Sequence, residues 1–420
     1  MPAFLTADRK IRTLLSLVAV FALVLCPIVV AGEDEEEEQA ANLGQALKKG
    51  TFSLNLRYRY ETVDDNAFEK DAHASTLRTA FGYRTLPWHG VSAFIEAENV
   101  TVVGNDLYNN KGAGRHWNGV DDRPVVADPA ITEINRAYLN LAVIPDTELR
   151  AGRDEILLDN QRFVGNVGWR QNHQSFDAVA LTNESIPHTT LTYIYMGNVN
   201  RIFGDNKQMG SHFVNAKISG CPYADFTLYY YMLDYSDEAD WGASTGTFGG
   251  RLDGTWAADE NWKIIYDLEY ATQGDAADNP NDIDADYLRL EGGFGYGKKF
   301  TFTLGHEVLG GSPEDGSFST PLATLHKWNG WADRFLATPE YGLEDTWAAA
   351  GGTFGDFTVK GIYHWFSSDT EDFDYGTEFD ALVSWKSPWK QVFALKAALF
   401  DGGDFDNDVN KVFLYTQWGF

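Results

Sequence analysis

The chain has 420 residues, 61 acidic against 33 basic, with a formal net charge of −28; 44% of its residues are hydrophobic, 14% are aromatic and 40 are glycine. That balance excludes a chain too polar to fold. Its acidity excludes a basic nucleic-acid surface, so no nucleic-acid partner is expected. Plentiful aromatics and glycine suit many strands joined by tight turns.

At the N-terminus, Arg9, Lys10 and Arg12 precede an apolar run from Leu14 to Val30, and Val29-Val30-Ala31 offers small-residue cleavage. This is the pattern of a signal peptide over residues 1–32. Uncleaved, the run is about long enough to span a bilayer, but the acidic stretch and strands that follow favour removal. Cys26 is flanked by Leu25 and Pro27, neither of which suits a lipobox. Residues 33–50 form an acidic leader, opening with the run 33–38 and able to form one short helix from Ala40 to Lys49. No long apolar stretch follows Gly32, so any membrane crossing uses strands.

From Thr51 to Phe420 the period is two. Leu54, Leu56, Tyr58 and Tyr60 alternate with Asn55, Arg57, Arg59 and Glu61. Strand candidates begin near Thr51, Ala74, Gly90, Ile131, Asp146, Asn172, His188, Ser211 and Tyr223. Others begin near Gly246, Asn261, Asp284, Lys299, Glu344, Phe357, Gly376, Lys390 and Asn410. The clearest puts Trp262, Ile264, Tyr266, Leu268 and Tyr270 on one face and Lys263, Asp267 and Glu269 on the other. Connections alternate between short (Leu86–His89, Ile144–Asp146, Gly355–Asp356) and long (Thr101–Ala130, Asp159–Gln171, Gly310–Leu343). This predicts an all-β fold, a transmembrane antiparallel up-and-down β-barrel of about 18 strands, with short periplasmic turns and long extracellular loops. An even strand number puts both termini on the periplasmic side. On the last strand, Val412, Leu414, Thr416, Trp418 and the terminal Phe420 share one face. That ending resembles the signal read by the barrel-insertion machinery of a Gram-negative outer membrane. Outer-membrane lipid and lipopolysaccharide are the expected surroundings.

Acidity gathers in the long loops, as in Asp275 to Asp286 and Asp401 to Asp408, where a solvated face is the simplest reading. Asp404 to Asp408 lacks the glycine and terminal glutamate of an EF-hand loop, so no metal site is assigned. If the apolar faces meet lipid, Arg57, Arg59, Arg78, Arg84, Arg136, Arg150, Lys217, Arg251, Lys263, Arg289, Lys360 and Lys396 point into the lumen, together with several carboxylates. Inward arginines favour anions, or they pair with carboxylates and brace the wall; taken together they lean toward anion passage. His306-Glu307 lacks the second histidine of a zinc helix, and neither a nucleophile elbow nor a P-loop occurs, so no enzyme activity and no cofactor is expected. Trp328 and Trp331 are suited to stacking on sugars, but anchoring their loop to the barrel rim is the favoured reading.

The block from Arg150 to Leu181 (Arg-Ala-Gly-Arg-Asp-Glu-Ile-Leu-Leu-Asp-Asn-Gln-Arg-Phe-Val-Gly-Asn-Val-Gly-Trp-Arg-Gln-Asn-His-Gln-Ser-Phe-Asp-Ala at its start) resembles the alginate-export porin family. Ser53 to Glu61, Ala74 to Thr79, Val126 to Pro129, Glu133 to Asn135 and Asn198 to Gly204 are similar to other blocks of that family. The resemblance implies an eighteen-stranded barrel exporting an anionic polyuronate, with lumenal arginines passing carboxylates along. Carried onto this chain, the implied positions are Arg57, Arg59, Arg78, Arg153, Asp159, Arg162 and Arg170; Arg136 and Arg289 join them from the strand pattern. Asp154 stands where the family often has Gln. In the loop, Gly165, Gly168 and Trp169 suit folding into the barrel, with Arg153, Arg162 and Arg170 as constriction charges or as partners of Asp154, Asp159 and Asp177. A small-solute porin of the same fold and an adhesive or structural barrel are the alternatives.

Overall fold

The computed structural model describes residues 39–297, 299–403 and 405–420; the expected signal peptide, the acidic run to residue 38 and Asp404 lie outside the described residues. The described chain opens with a six-residue helix, α1 (Leu43–Lys48), capped by the Asn42 side chain, which accepts from the Gln45 amide. The Tyr83 hydroxyl donates to the Leu47 carbonyl at 2.6 Å, holding α1 against the first short turn.

The wall follows as β1 (Thr51–Asp65), β2 (Ala72–Arg84), β3 (Val91–Val102), β4 (Ile131–Ile144), β5 (Thr147–Asp154), β6 (Ser175–Asn183), β7 (Thr189–Asn200), β8 (Asn206–Ile218) and β9 (Asp225–Met232). It continues with β10 (Thr245–Ala257), β11 (Trp262–Asp275), β12 (Asp284–Tyr296), β13 (Phe300–Leu309), β14 (Leu343–Phe354), β15 (Phe357–Ser367), β16 (Asp374–Lys386), β17 (Val392–Asp401) and β18 (Val409–Gly419). All eighteen belong to one sheet. β18 pairs antiparallel with β1 from Asn55↔Gly419 to Asp65↔Val409, which closes the barrel and leaves no free edge. Phe420 sits on that seam, exchanging backbone hydrogen bonds with Leu54 at 2.9 and 3.1 Å. Every expected strand is present. The largest displacement is at β8, expected near Ser211 and beginning at Asn206, because Asn206, Lys207 and Gln208 carry no apolar alternation.

No helix among the described residues is long and apolar enough to cross a membrane; the strands do it. Their outward positions carry Phe81, Ile95, Leu139, Leu290, Leu304, Leu395 and Leu414, all left exposed by the protein itself. Aromatics gather at both ends of this band. Phe52, Trp256, Trp262, Tyr296, Phe354 and Phe357 mark the short-turn end, and Tyr60, Tyr230, Phe248 and Trp365 the long-loop end. Such girdles are where amphipathic rings meet the lipid interfaces. The inward positions hold charge instead: Arg57, Arg59, Glu61, Arg78, Glu98, Glu269, Glu307, Asp345, Glu378 and Asp380 are all buried. Charges can be buried here only because something inside the barrel meets them.

Candidate functional site: two loops folded into the lumen

Two long-loop-end connections, 155–174 and 310–342, turn inward and fill the barrel. The wall grips the first by its carbonyls. Arg57 donates to the carbonyls of Gly168 (2.7 Å) and Arg170 and to the Gln171 side chain (2.8 Å), and Arg59 donates to the Trp169 carbonyl. Gln171 donates its side-chain amide to the Thr76 carbonyl at 3.1 Å, and its backbone amide donates to Asp128 at 2.8 Å. Arg78 is paired with Glu98, which also accepts the His173 amide at 2.9 Å. At the far side of the loop, Asp159 accepts from Asn215 (2.8 Å) and Tyr231 (3.1 Å), and Asn160 donates to Glu269 at 3.0 Å. Phe163 packs among Tyr229, Tyr287 and Phe318 with ring centroids 5.3 to 6.0 Å away. Phe163 is partly buried there, and complete burial of an aromatic of this size would contribute roughly 1.5–3 kcal/mol.

The second loop is gripped by its amides. Trp331 N–H donates to Asp380 (3.2 Å) and Ala332 N–H to Glu378 (2.8 Å). Gly330 has φ +83°, and a Cβ there would fall 2.3 Å from the Glu378 carboxylate, so only glycine lets the chain come this close. Phe335 anchors the loop's return among Phe366, Tyr375, Phe400 and Phe405. The loops also hold each other. Gly165 N–H donates to the Leu322 carbonyl at 2.9 Å, and a Cβ on Gly165 would meet the Thr324 hydroxyl at 2.2 Å. Arg162 sits at their junction, 1% exposed. It reaches Glu307 (3.0 Å), Thr320 (3.2 Å) and Asn329 (3.2 Å), and lies over the Trp328 ring at 5.3 Å.

Open space remains on either side of the junction. An inner chamber of about 590 Å³, lower in the barrel, is lined by Arg251, Arg289, Lys327, Trp328, Trp347 and Lys360 together with Asp267, Glu291, Glu307 and Asp345. Arg289 stacks over both Trp328 (4.9 Å) and Trp347 (4.8 Å). An outer chamber of about 420 Å³ lies toward the long-loop end.

Loop carboxylates stay ionised through their partners. Burial pushes Glu155 up, but hydrogen bonds from His173, Asn135 and Asn166 outweigh it and hold the carboxyl at about 2. Burial pushes Asp333 up as well, and contacts from His326, Lys411 (2.8 Å) and Arg170 (3.0 Å) bring it well below its usual range. Burial, reinforced by Lys396, keeps His326 well below its ordinary value against the pull of Asp333. The neutral ring donates from Nδ1 to Asp333 (2.6 Å) and accepts at Nε2 from Lys396 (2.6 Å). A depressed carboxyl contributes docking that is complete above its unfolded value and is lost as pH falls through its folded one. For Glu155 that window runs from 4.5 down to about 2, with on the order of 3 kcal/mol at stake. We expect conductance in planar bilayers to rise, and protease cleavage within 155–174 to accelerate, as pH is taken from 5 to below ~3. A flat profile would show that these carboxylates do not hold the loops.

The expected site residues therefore divide. Arg57, Arg59, Arg78, Arg162 and Asp159 hold the loops; the four arginines are buried, while Asp159 stays exposed. Arg170 pairs with Glu61 (3.3 Å) and Asp333 and also borders the outer chamber. Arg136 bonds to Asp154 at 2.7 Å and stacks over Phe94. Arg289 lines the inner chamber. Arg153 is a correction: it lies on the outer face, because it pairs in register with Ala137 and Asp177 on the side that carries Ala151 and the exposed Leu139. There it bonds to Asp177 at 2.7 and 2.9 Å. Trp328 and Trp331 are buried inside the lumen, deeper than the rim where they were expected. Glu307, Asn329, His326 and Asp333 were not expected to matter; strand parity places Glu307 inward, but no sequence signal points to the other three. His306 stands on the outer face, bonded to the Thr346 hydroxyl at 2.9 Å. Among the described residues no cluster of His, Cys, Asp and Glu is arranged to hold a metal.

The family model of alginate export matches residues 49–305, more than half of the chain. None of the curated proteins compared with the chain matches it. Among solved structures, OccK9 (OpdG) of Pseudomonas aeruginosa superposes with a TM-score of 0.70 at 14% identity, covering 89% of this chain and 99% of its own. OpdK of the same organism, solved with vanillate, has a TM-score of 0.66 at 14% identity, covering 88% and 98%. OccAB4 of Acinetobacter baumannii has a TM-score of 0.64 at 16% identity, covering 88% and 97%. At these identities the likeness establishes a shared barrel fold.

Proposed function

Because the chain belongs to the alginate-export family, we propose that this outer-membrane channel passes anionic, uronate-type saccharides by passive diffusion in a Gram-negative cell. The observation that carries the reading is the inner chamber. Lys360 faces it with an amine that makes no hydrogen bond or ion pair among the described residues, near Arg251, Arg289 and Lys327. Trp328 and Trp347 border the same space. A uronate ring offers one carboxylate for such cations and an apolar face for an indole.

The size of the chamber favours a second reading. About 590 Å³ is the volume of a small-ligand pocket, so with both loops docked it holds a short saccharide or another small carboxylate rather than a running polymer. OpdK, which shares the fold, was solved with vanillate, a small aromatic carboxylate. Planar-bilayer recordings of the refolded protein separate the two. The polyuronate reading expects a small anion-preferring conductance, blocked by oligouronates and not by neutral oligosaccharides. Lys360→Gln should weaken that block about tenfold, the value of one charge-assisted contact. Conductance indifferent to oligouronates moves the assignment to a small-solute porin, and a folded barrel that never conducts moves it to an adhesive or structural role.

A further inference from the structure

We propose that the outer chamber is a binding site for a small amphipathic organic anion, a single carboxylate on an apolar body of about one ring. The proposal rests on the channel reading above only in placing an anion in the lumen, and it names a different chamber and a different chemistry.

The chamber is lined by residues of loop 103–130 and of the two inward loops. Its walls expose apolar groups where the barrel meets water rather than lipid. Phe68, Val125 and Leu336 line it with 36%, 38% and 49% of their surface open. Apolar side chains left bare in a concave site form a surface that gains by being covered. Five cations border the same space against two carboxylates, Asp65 and Asp333. Four of the five are engaged by acids: Arg334 by Asp65 and Asp406, Arg170 and Lys411 by Asp333, and Arg201 by Asp205. Lys111 forms no ion pair among the described residues. Arg201 has Asp205 at 3.3 Å and lies over Phe203 at 4.8 Å. Ala113 N–H donates to the Phe203 carbonyl at 2.8 Å, which ties the Lys111 loop to the Arg201 loop and sets both cations at one side of the chamber. A carboxylate is received there, and its body lies on Phe68, Val125 and Leu336.

This chemistry discriminates against a sugar acid of equal charge. Hydroxyls set against Val125, Leu336 and Pro321 would lose water without gaining partners. A neutral ring would cover the apolar wall but leave Lys111 unanswered. A volume of about 420 Å³ admits one ring with its substituents and excludes a chain of them.

The test is calorimetric titration of the refolded full-length protein in detergent with benzoate, with glucuronate as the equally charged hydroxylated ring and benzyl alcohol as the uncharged ring. Benzoate is expected to bind saturably and about tenfold more tightly than either. Lys111→Ala and Leu336→Asp should each weaken benzoate binding about fivefold or more. Both should leave oligouronate block of conductance, which reports on the inner chamber, unchanged. Equal binding of benzoate and glucuronate overturns the proposal, and so does benzoate binding untouched by both substitutions. Benzoate binding without oligouronate block would instead sink the polyuronate reading and leave this site standing. Both positions lie in loops, and heat-modifiable gel migration reports whether each variant folds; if Leu336→Asp does not, Lys111→Ala alone decides.

Discussion

Excising Ser319–Ala337 and joining Phe318 to Thr338 through a short glycine linker is expected to raise single-channel conductance about tenfold, toward that of an open barrel of this strand number. The ends are already neighbours: the Thr338 hydroxyl donates to the Phe318 carbonyl at 2.6 Å, and the Ser317 hydroxyl to the Pro339 carbonyl at 2.9 Å. The wall should survive the deletion, because its closure resides in strand pairing and no strand is touched. Selectivity should also move toward cations. The cut removes Lys327 and Arg334 with one acid, Asp333, and it uncovers Glu307, Asp345, Glu378 and Asp380, which now meet loop amides and side chains. Reversal-potential measurements in a salt gradient read that change directly. A folded deletion variant with unchanged conductance would show that loop 155–174 closes the lumen alone.

The second large effect is expected at Arg162. Replacing it with Ala leaves Glu307 buried, holding only the Tyr287 hydroxyl (2.7 Å) and the Asn329 amide (2.6 Å). Breaking a buried pair from one side costs about 3–5 kcal/mol, because a charge is stranded. That cost falls on the docked state and not on the barrel, so the expected phenotype is frequent opening and fast hydrogen exchange at residues 159–165 in a protein that still resists heat and detergent. The double variant Arg162→Met, Glu307→Leu removes both charges and keeps the volume, and it should restore quiet, closed channels. Exchange in Arg162→Ala as slow as in the parent would rule out this pair as the latch.

The wall was legible from the chain because a period of two leaves its mark in every strand; even the seam was announced by Val412, Leu414, Trp418 and Phe420. The fate of the inward charges was not. Alternation says that Arg57 and Arg59 face inward, but the loop groups they hold lie more than a hundred positions away at Gly168, Trp169 and Gln171. Arg162 meets Glu307 across 145 positions. Positions expected to line a path are thus mostly occupied in holding loops. Loop 155–174 was readable as an inward fold from Gly165, Gly168 and Trp169. Loop 310–342 was not, since two tryptophans and a lysine look the same at a rim as inside a lumen. Arg153 escaped because a polar pair on the outer face, near a strand end, breaks the rule that charge on a strand points inward.

The barrel holds both inserts by main chain: arginines on carbonyls at one wall, carboxylates on amides at the other. Contacts of that kind read chain path rather than residue identity. Side chains that take no part in those contacts, such as Lys111 and Leu336 at the outer chamber, are therefore free of the task of keeping the inserts in place and can be relettered with little penalty to the frame. Such a barrel behaves as a holder for exchangeable cartridges, in which a few loop substitutions can reset the outer chamber while the strands keep Arg251, Arg289 and Lys360 at the inner one.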